Sequence, residues 1–382
     1  MVDSAASRRR VRCSAPGKVI LAGEHAVVYG IKAIACAIAL RTNVEAELMQ
    51  EEQLSLHVSL GDQTLGFTWS VNEVVELLQQ NGQWPPRRRL ESVNFDTLYS
   101  ILAPLATGDR VAHTAQVAFL VLYCLLGFAE EKYGMTVEIT SKIPVASGLG
   151  SSAAFAAALS GALLGLKSLT DGESQSVDVD RETVNTLAFQ LERVVHGTPS
   201  GVDNTVAVYG GALEFSKRDA SVTMRQLPLR CAVPLLLTHT RVPKDTKKMV
   251  ARVADYLSEQ STADKKKTLQ EFGDIADAMA TVLQDATSST DLTALAPLMR
   301  RNHALLVAAG VSHDAIDVVA DVCETRGVAT KITGAGGGGC TISLLAGVSE
   351  ETKQQVSDML TQRGMLPLEA AVGGAGLEVT RL

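Results

Sequence analysis

Residues 143–154 read Ile-Pro-Val-Ala-Ser-Gly-Leu-Gly-Ser-Ser-Ala-Ala. A strand-like approach runs into Gly148 and Gly150, and Ser151 and Ser152 then open a helix whose first turns are alanine-rich. The start of a helix exposes unpaired backbone N–H groups and the positive end of its dipole, so it attracts anions. Glycine lets backbone approach phosphate oxygens with no Cβ in the way. A serine hydroxyl in the first turn can ligate a divalent cation that neutralises those phosphates. Standing alone, the same stretch is also a glycine turn with a serine N-cap. Two common phosphate motifs are excluded. Walker A needs Lys-Ser or Lys-Thr after its last glycine, and no glycine here has that sequel. Gly148-x-Gly150-x-x-Ala153 fits the relaxed dinucleotide fingerprint, which requires a second strand ending in an acid about 20 residues on. The chain has the polar turn Leu169-Thr-Asp-Gly-Glu there instead. Gly334-x-Gly336-x-x-Gly339 also fits, but it lies between two strand-like runs with no helix after it.

Three further clusters surround this loop in sequence. Residues 15–30 read Ala-Pro-Gly-Lys-Val-Ile-Leu-Ala-Gly-Glu-His-Ala-Val-Val-Tyr-Gly, an apolar stretch interrupted by Lys18, Glu24 and His25. Each of these is an ordinary surface or loop residue when taken singly. Buried together, they need partners or a ligand. Residues 192–204 read Glu-Arg-Val-Val-His-Gly-Thr-Pro-Ser-Gly-Val-Asp-Asn. Glu192 flanks the apolar stripe of an amphipathic helix, and Asp203 follows in a Gly/Pro loop. As a pair they offer a hard oxygen ligand for Mg²⁺ and a carboxylate for a nucleophile's proton, the needs of phosphoryl transfer. Residues 331–340 read Lys-Ile-Thr-Gly-Ala-Gly-Gly-Gly-Gly-Cys. Such a loop folds closely over a ligand or another surface, or is a plain flexible hairpin.

The 382 residues are 46% apolar and 20% charged, with a net charge of −7. At about 150 residues per domain, that length predicts two to three domains. The composition excludes disorder and low complexity, and the acidic balance lacks the basic footprint of a nucleic-acid binder. The six cysteines form no CxxC pair and no zinc-ligand spacing, so they read as small buried hydrophobes in a reducing compartment. No apolar run reaches the roughly 18 residues of a membrane span, and the arginine-rich start has no apolar segment behind it. No membrane or nucleic-acid partner is expected.

Strands flanking a glycine turn are expected over 11–49, an irregular region over 51–110 with helical spacing from Val71 to Gln80, and an apolar helix over 111–133. A strand over Met135–Ile139 and helices over Ser152–Leu166 and Glu182–His196 follow. Pro228–Pro234 reads as a boundary, with a strand at Leu235–Leu237. Helices are then expected from Lys244 to Arg326, strands at Val328–Thr333 and Thr341–Leu345, another helix, and a last strand near Leu377–Thr380. Mixed elements without strict βα alternation argue for α+β.

At these clusters the sequence resembles the GHMP kinase superfamily, with matches in order from residue 15 to residue 340. Within it, Gly23-Glu24-His25 followed by Ala-Val-Val-Tyr-Gly, the run 196–204 and Arg241-Val-Pro-Lys-Asp-Thr-Lys-Lys are similar to the mevalonate kinase branch. The resemblance implies a two-domain α+β fold with the active site in the cleft. Its parts are an N-terminal ribosomal-protein-S5-like α/β domain over 1–228 and a C-terminal ferredoxin-like α+β domain over 229–382. The implied reaction is ATP-dependent phosphorylation of the 5-hydroxyl of mevalonate. Asp203 is the implied catalytic carboxylate and Lys18 its partner. Ser152 and Glu192 are implied to hold Mg²⁺. Ala146, Ser147, Gly148, Leu149, Gly150, Ser151 and Ser152 would wrap the ATP phosphates, with Ser141 nearby and Trp69 near adenine. Lys18, Glu24, His25, Gly201, Asp203 and Thr246 would form the substrate pocket. The family also implies a homodimer; the cysteines lead to the expectation of a cytoplasmic address, although Lys18 to Ala26 resembles the import nonapeptide of peroxisome-like organelles. Two alternatives stay open: a sister kinase for phosphomevalonate or a sugar, and a silent ligand sensor on the same fold.

Overall fold

The computed structural model describes residues 9–60, 63–86, 92–170, 177–197, 199–218 and 221–382. The start of the arginine-rich segment, the run Arg87–Arg89 and the turn residues Asp171–Glu173 lie outside the described residues.

The first half contains strands β1 (Arg10–Ala22), β2 (Ala33–Met49), β3 (Gln53–Leu60), β4 (Gln63–Ser70) and β5 (Gly134–Ser141). Its helices are α1 (Val71–Gln80), α2 (Ser92–Leu102), α3 (Arg110–Leu125), α4 (Ser151–Thr170), α5 (Arg181–His196) and α6 (Val202–Tyr209). Strands β6 (Ala212–Arg218) and β7 (Ser221–Leu227) form a hairpin before β8 (Val233–His239). Helices α7 (Thr246–Ser258), α8 (Thr262–Asp285), α9 (Leu295–Ala308) and α10 (Asp314–Glu324) follow. The chain closes with β9 (Thr330–Ile332), β10 (Cys340–Leu344), α11 (Glu350–Gln362), β11 (Leu366–Val372) and β12 (Glu378–Arg381).

Long β2 organises the sheet. One edge pairs antiparallel with β1; the other pairs with β5 over Thr42–Met49 and with β6 over Ala33–Cys36. The sheet extends through β3 and β4 on one side. On the other, the bridge between Val372 and Ile38 leads to β11, β8, β10 and β9. The chain's last strand, β12, returns to pair with β1.

Helix α4 sits on this sheet through its small residues. A Cβ at Gly161 would lie 2.6 Å from Cys13 Sγ on β1, so the close approach needs glycine there. Length and a mean hydropathy of 1.4 would let α4 cross a membrane, but it is packed among β1, β2 and α5 as a core helix. Helix α3 is equally central: every side chain from Ala115 to Leu125 is buried, and Asp109 caps it by accepting from the Val111 and Ala112 N–H groups.

Three expectations need correction. The region 51–110 contains the regular β3–β4 hairpin, in which Leu54, Leu56 and Val58 and then Leu65, Phe67 and Trp69 alternate, a signal obscured by Gly66 and by the breakers Gly82, Pro85 and Pro86 beyond it. The hairpin β6–β7 and strand β11 carry too little buried alternation to read from sequence. The apolar helix over 111–133 ends at Leu125.

Candidate active site

Strand β1 breaks its pairing with β2 between Pro16 and Lys18. Pro16 has no N–H to donate, and the bulge re-aims the next side chain. There the Lys18 N–H donates instead to the Leu149 carbonyl at 2.8 Å. A Cβ on Gly17 would stand 2.5 Å from that same oxygen. The bulge thus joins β1 to the loop 143–150 and turns Lys18 toward the start of α6. Lys18 Nζ lies 3.2 Å from Asp203 Oδ1.

Asp203 is in the first turn of α6, after Gly201 at φ +80°. Its side chain is 39% exposed, while that of Lys18 is 10% exposed. Across the same opening, Glu192 is buried on α5, and Ser152 Oγ donates to its Oε1. Burial pushes the Glu192 carboxyl up to about 7; the Ser152 hydrogen bond opposes that and the charge of Asp203 adds to it. His196, one turn beyond Glu192, brings Nε2 to 3.2 Å from Ser152 Oγ. Burial, then the Arg110 charge, pulls its imidazole below the ordinary histidine range.

Asp203, Glu192, Ser152, His196 and Arg110 border a cleft of about 750 Å³. Its walls include Ser141, Ala146, Gly148, Gly150, Ser151 and Ser152 from the loop side. Glu192, Gly201 and Asp203 face them, and Lys244 and Thr246 close one end. Val58, Ile139, Val111 and Ala115 give it an apolar arm. Ser147 and Leu149 do different work in the same loop. Ser147 Oγ donates to the Pro144 carbonyl at 2.7 Å, and Leu149 is buried in the core. They fasten the loop while its glycines face the opening. Ser141 Oγ is 2.9 Å from Thr42 Oγ1 at the cleft wall.

Three other expected residues lie elsewhere. Trp69 is 6% exposed, donates its indole N–H to the Leu105 carbonyl at 3.0 Å and packs on Phe67 and Phe119. It is a core residue, because its one polar atom is already satisfied inside the fold. Glu24 is paired with fully buried Lys331 rather than facing the cleft wall. His25 donates from Nε2 to the Ala335 carbonyl at 2.8 Å. The apolar stretch around Glu24 and His25 carries a protein partner for each.

Sequence reading missed Lys244, Arg110 and His196 as cleft residues. Lys244 reaches over the loop so closely that a Cβ at Gly148 would meet its Nζ at 2.1 Å. Burial, then the neighbouring Lys18, lowers its ammonium from the ordinary lysine value, and no carboxylate pairs with it among the described residues. Its signal lay in the run 241–248, and that of His196 in the Glu192 cluster. Arg110 gave none.

The arrangement brings a helix start, a lysine–carboxylate pair and a hydroxyl–carboxylate pair to one opening, which suits phosphoryl transfer. Comparison with known proteins agrees. Residues 116–211 match the family model described as GHMP kinases N terminal domain, and residues 283–364 match that described as GHMP kinases C terminal. Mevalonate kinase of Arabidopsis thaliana is 35% identical over 351 residues, covering 88% of this chain and 90% of that protein. The Mus musculus mevalonate kinase is 34% identical, covering 87% and 85%. The crystal structure of Methanococcus jannaschii mevalonate kinase aligns with a TM-score of 0.68 at 25% identity, covering 96% of this chain and 98% of that one. Identity at this level over nearly nine-tenths of the chain shows that it belongs to the mevalonate kinase family of the GHMP kinases, which are ATP-dependent phosphotransferases.

Proposed function

We propose that this chain transfers the γ-phosphoryl group of ATP to the 5-hydroxyl of mevalonate, with Asp203 and Lys18 as its catalytic residues. The observation that carries this reading is the 3.2 Å Lys18–Asp203 pair, open to the cleft on the carboxylate side. The substrate oxygen bonds to the γ-phosphorus as the bond to the bridging β–γ oxygen breaks. The hydroxyl proton passes to an Asp203 oxygen, and ADP leaves. Lys18 holds its ammonium against that carboxylate and stabilises charge on the transferring group. The triphosphate lies against Gly148, Gly150 and the N–H groups that open α4, where the helix dipole favours negative charge. The apolar arm beside Val58 and Ile139 suits the adenine, a place the sequence reading gave to Trp69.

Mg²⁺ fits the donor set. Ser152 and Glu192 are hard oxygen donors on neighbouring helices, and a buried carboxyl pushed up to about 7 is one that a divalent cation would return to its ionised form. One or two protein oxygens plus substrate phosphates is the usual magnesium environment. When bound, the ion neutralises charge on the ATP phosphates. Ser152 and Glu192 hold it, His196 bears on the Ser152 hydroxyl, and Lys244 offers a cation to the anionic groups that meet in the cleft.

A coupled assay of ADP release tests the reading with mevalonate, phosphomevalonate, galactose and homoserine in parallel. Turnover with mevalonate at least tenfold above the other three is expected. Faster turnover with phosphomevalonate or galactose would assign the chain to a sister kinase. ATP binding without release of ADP in any arm would make it a sensor.

A further inference from the structure

A second lysine–carboxylate pair lies away from the cleft, and the transfer scheme does not use it. Lys331 on β9 and Glu24 in the turn after β1 have side chains 0% and 1% exposed. Lys331 Nζ donates to Glu24 Oε1, to the Ile332 carbonyl at 2.5 Å and to the Ile20 carbonyl at 3.4 Å. Thr333 continues the seam: the Ile20 N–H donates to its Oγ1 at 2.9 Å, and that hydroxyl lies 3.0 Å from the Ile20 carbonyl. His25 donates to the Ala335 carbonyl. Apart from the bond from Lys331 to the Ile332 carbonyl, every bond in the seam runs between residues 20–25 and residues 331–335.

The seam joins two parts of the active site. Ile20 stands two residues beyond Lys18 on β1, next to a second break in pairing with β2 between Ile20 and Ala22. A strand whose register against β2 shifts on both sides of Lys18 draws on other bonds to fix its position. At the far end of the glycine loop, the Gly339 N–H donates to the Val242 carbonyl at 2.9 Å. Thr240 Oγ1 donates to the Gly339 carbonyl at 2.8 Å, and that segment leads into Lys244.

Stability does not account for the charges. A buried ion pair gives roughly what an apolar pair of equal volume would give, or less, and Glu24 Oε2 is left with no partner among the described residues. What an ammonium adds over a methyl group is direction, because its three N–H bonds fix two backbone carbonyls and a carboxylate at once. We propose that Lys331 and Glu24 are positioning residues: they lock the Ile20 backbone to the entrance of the glycine loop and thereby set Lys18 opposite Asp203, without touching substrate. This deepens the kinase reading and rests on it for the rate measurement alone.

The test compares the full-length chain with Glu24→Gln, Lys331→Met and the paired Glu24→Leu/Lys331→Met, which leaves no uncompensated buried charge. Thermal unfolding, hydrogen exchange of peptides spanning 16–26, and kcat and KM for mevalonate and ATP are measured on each. The paired variant is expected to stay folded, exchange at least tenfold faster across 16–26, and lose at least tenfold in kcat with both KM values within threefold. Wild-type exchange in that peptide would overturn the proposal whatever the substrate proves to be. Wild-type kcat in the paired variant would overturn it too. So would a tenfold rise in mevalonate KM at unchanged kcat in Glu24→Gln, since that marks direct contact with substrate. Absence of ADP release by the wild-type chain would sink the kinase reading, and the exchange measurement would still decide the positioning role.

Discussion

Lys18–Asp203 and Lys331–Glu24 have the same chemistry and opposite surroundings. Asp203 is 39% exposed to the cleft, while Glu24 and Lys331 are sealed inside the fold. A carboxylate that accepts a proton must meet the hydroxyl that gives it, so one side has to stay open. A carboxylate that holds a lysine against backbone carbonyls works better with water excluded, because competing hydrogen bonds are removed. Burial, more than residue type, separates the two jobs.

The largest effect that can break this contrast is on rate. Asp203→Asn should lower kcat by about a thousandfold, roughly 4 kcal/mol of transition-state stabilisation, while the ATP KM changes by less than threefold. Its thermal midpoint should fall less than when a sealed pair is broken, because Asp203 is open to water although Lys18 is mostly buried. Steady-state kinetics beside calorimetry check both halves. Near-normal turnover would remove Asp203 from the chemistry.

Lys331→Met should show the reverse order of effects. Removing one partner of a buried pair leaves a buried carboxylate without its counter-charge, at a cost of about 3–5 kcal/mol. Chemical denaturation should register that loss in full, with activity falling alongside it. A variant as stable as the wild type would mean that Glu24 finds another partner and that the seal between the two pairs is not what distinguishes them.

Glu192→Gln comes next. Glu192 is buried like Glu24 yet lies beside the opening, so it tests whether a carboxylate can belong to both classes. If it ligates Mg²⁺, the amide should raise the magnesium concentration for half-maximal rate by about tenfold or more. Titrating the metal at saturating ATP measures this. An unchanged magnesium requirement would leave Glu192 as a support for Ser152 alone.

How much of this could be read from sequence follows the same division. Gly148, Gly150, Ser152 and Asp203 announced themselves because phosphate chemistry demands glycine, hydroxyl and carboxylate at short local spacings. The pairing of Glu24 with Lys331 could not be read, since 307 residues separate them and each has a plausible local role. Glu24 therefore looked like a ligand-facing residue. Lys244 was hidden for a related reason: its position over Gly148 depends on how β8 and α7 bring the run 241–248 back across the loop. The fold was legible where periodicity was strong, as in α5 and β2. It was lost in β4, where Gly66 interrupts the alternation of Leu65, Phe67 and Trp69, in β11, where Pro367 argues against a strand, and in the return of β12 to β1.

Trp69 gives the smallest effect and the strictest check on the contrast. Its indole N–H already serves the Leu105 carbonyl, and its ring fills space against Phe119 at a centroid distance of 6.2 Å. Trp69→Phe should therefore cost about 1–3 kcal/mol of stability, from a half-buried carbonyl left without its donor and a smaller ring. ATP binding should stay within twofold of normal, because nothing of the residue borders the cleft. Isothermal titration with a non-hydrolysable ATP analogue, set beside a denaturation curve, separates the two. If affinity fell tenfold while stability held, a sealed residue would be acting on the ligand. Burial would then no longer sort the residues that hold this site from those that react in it.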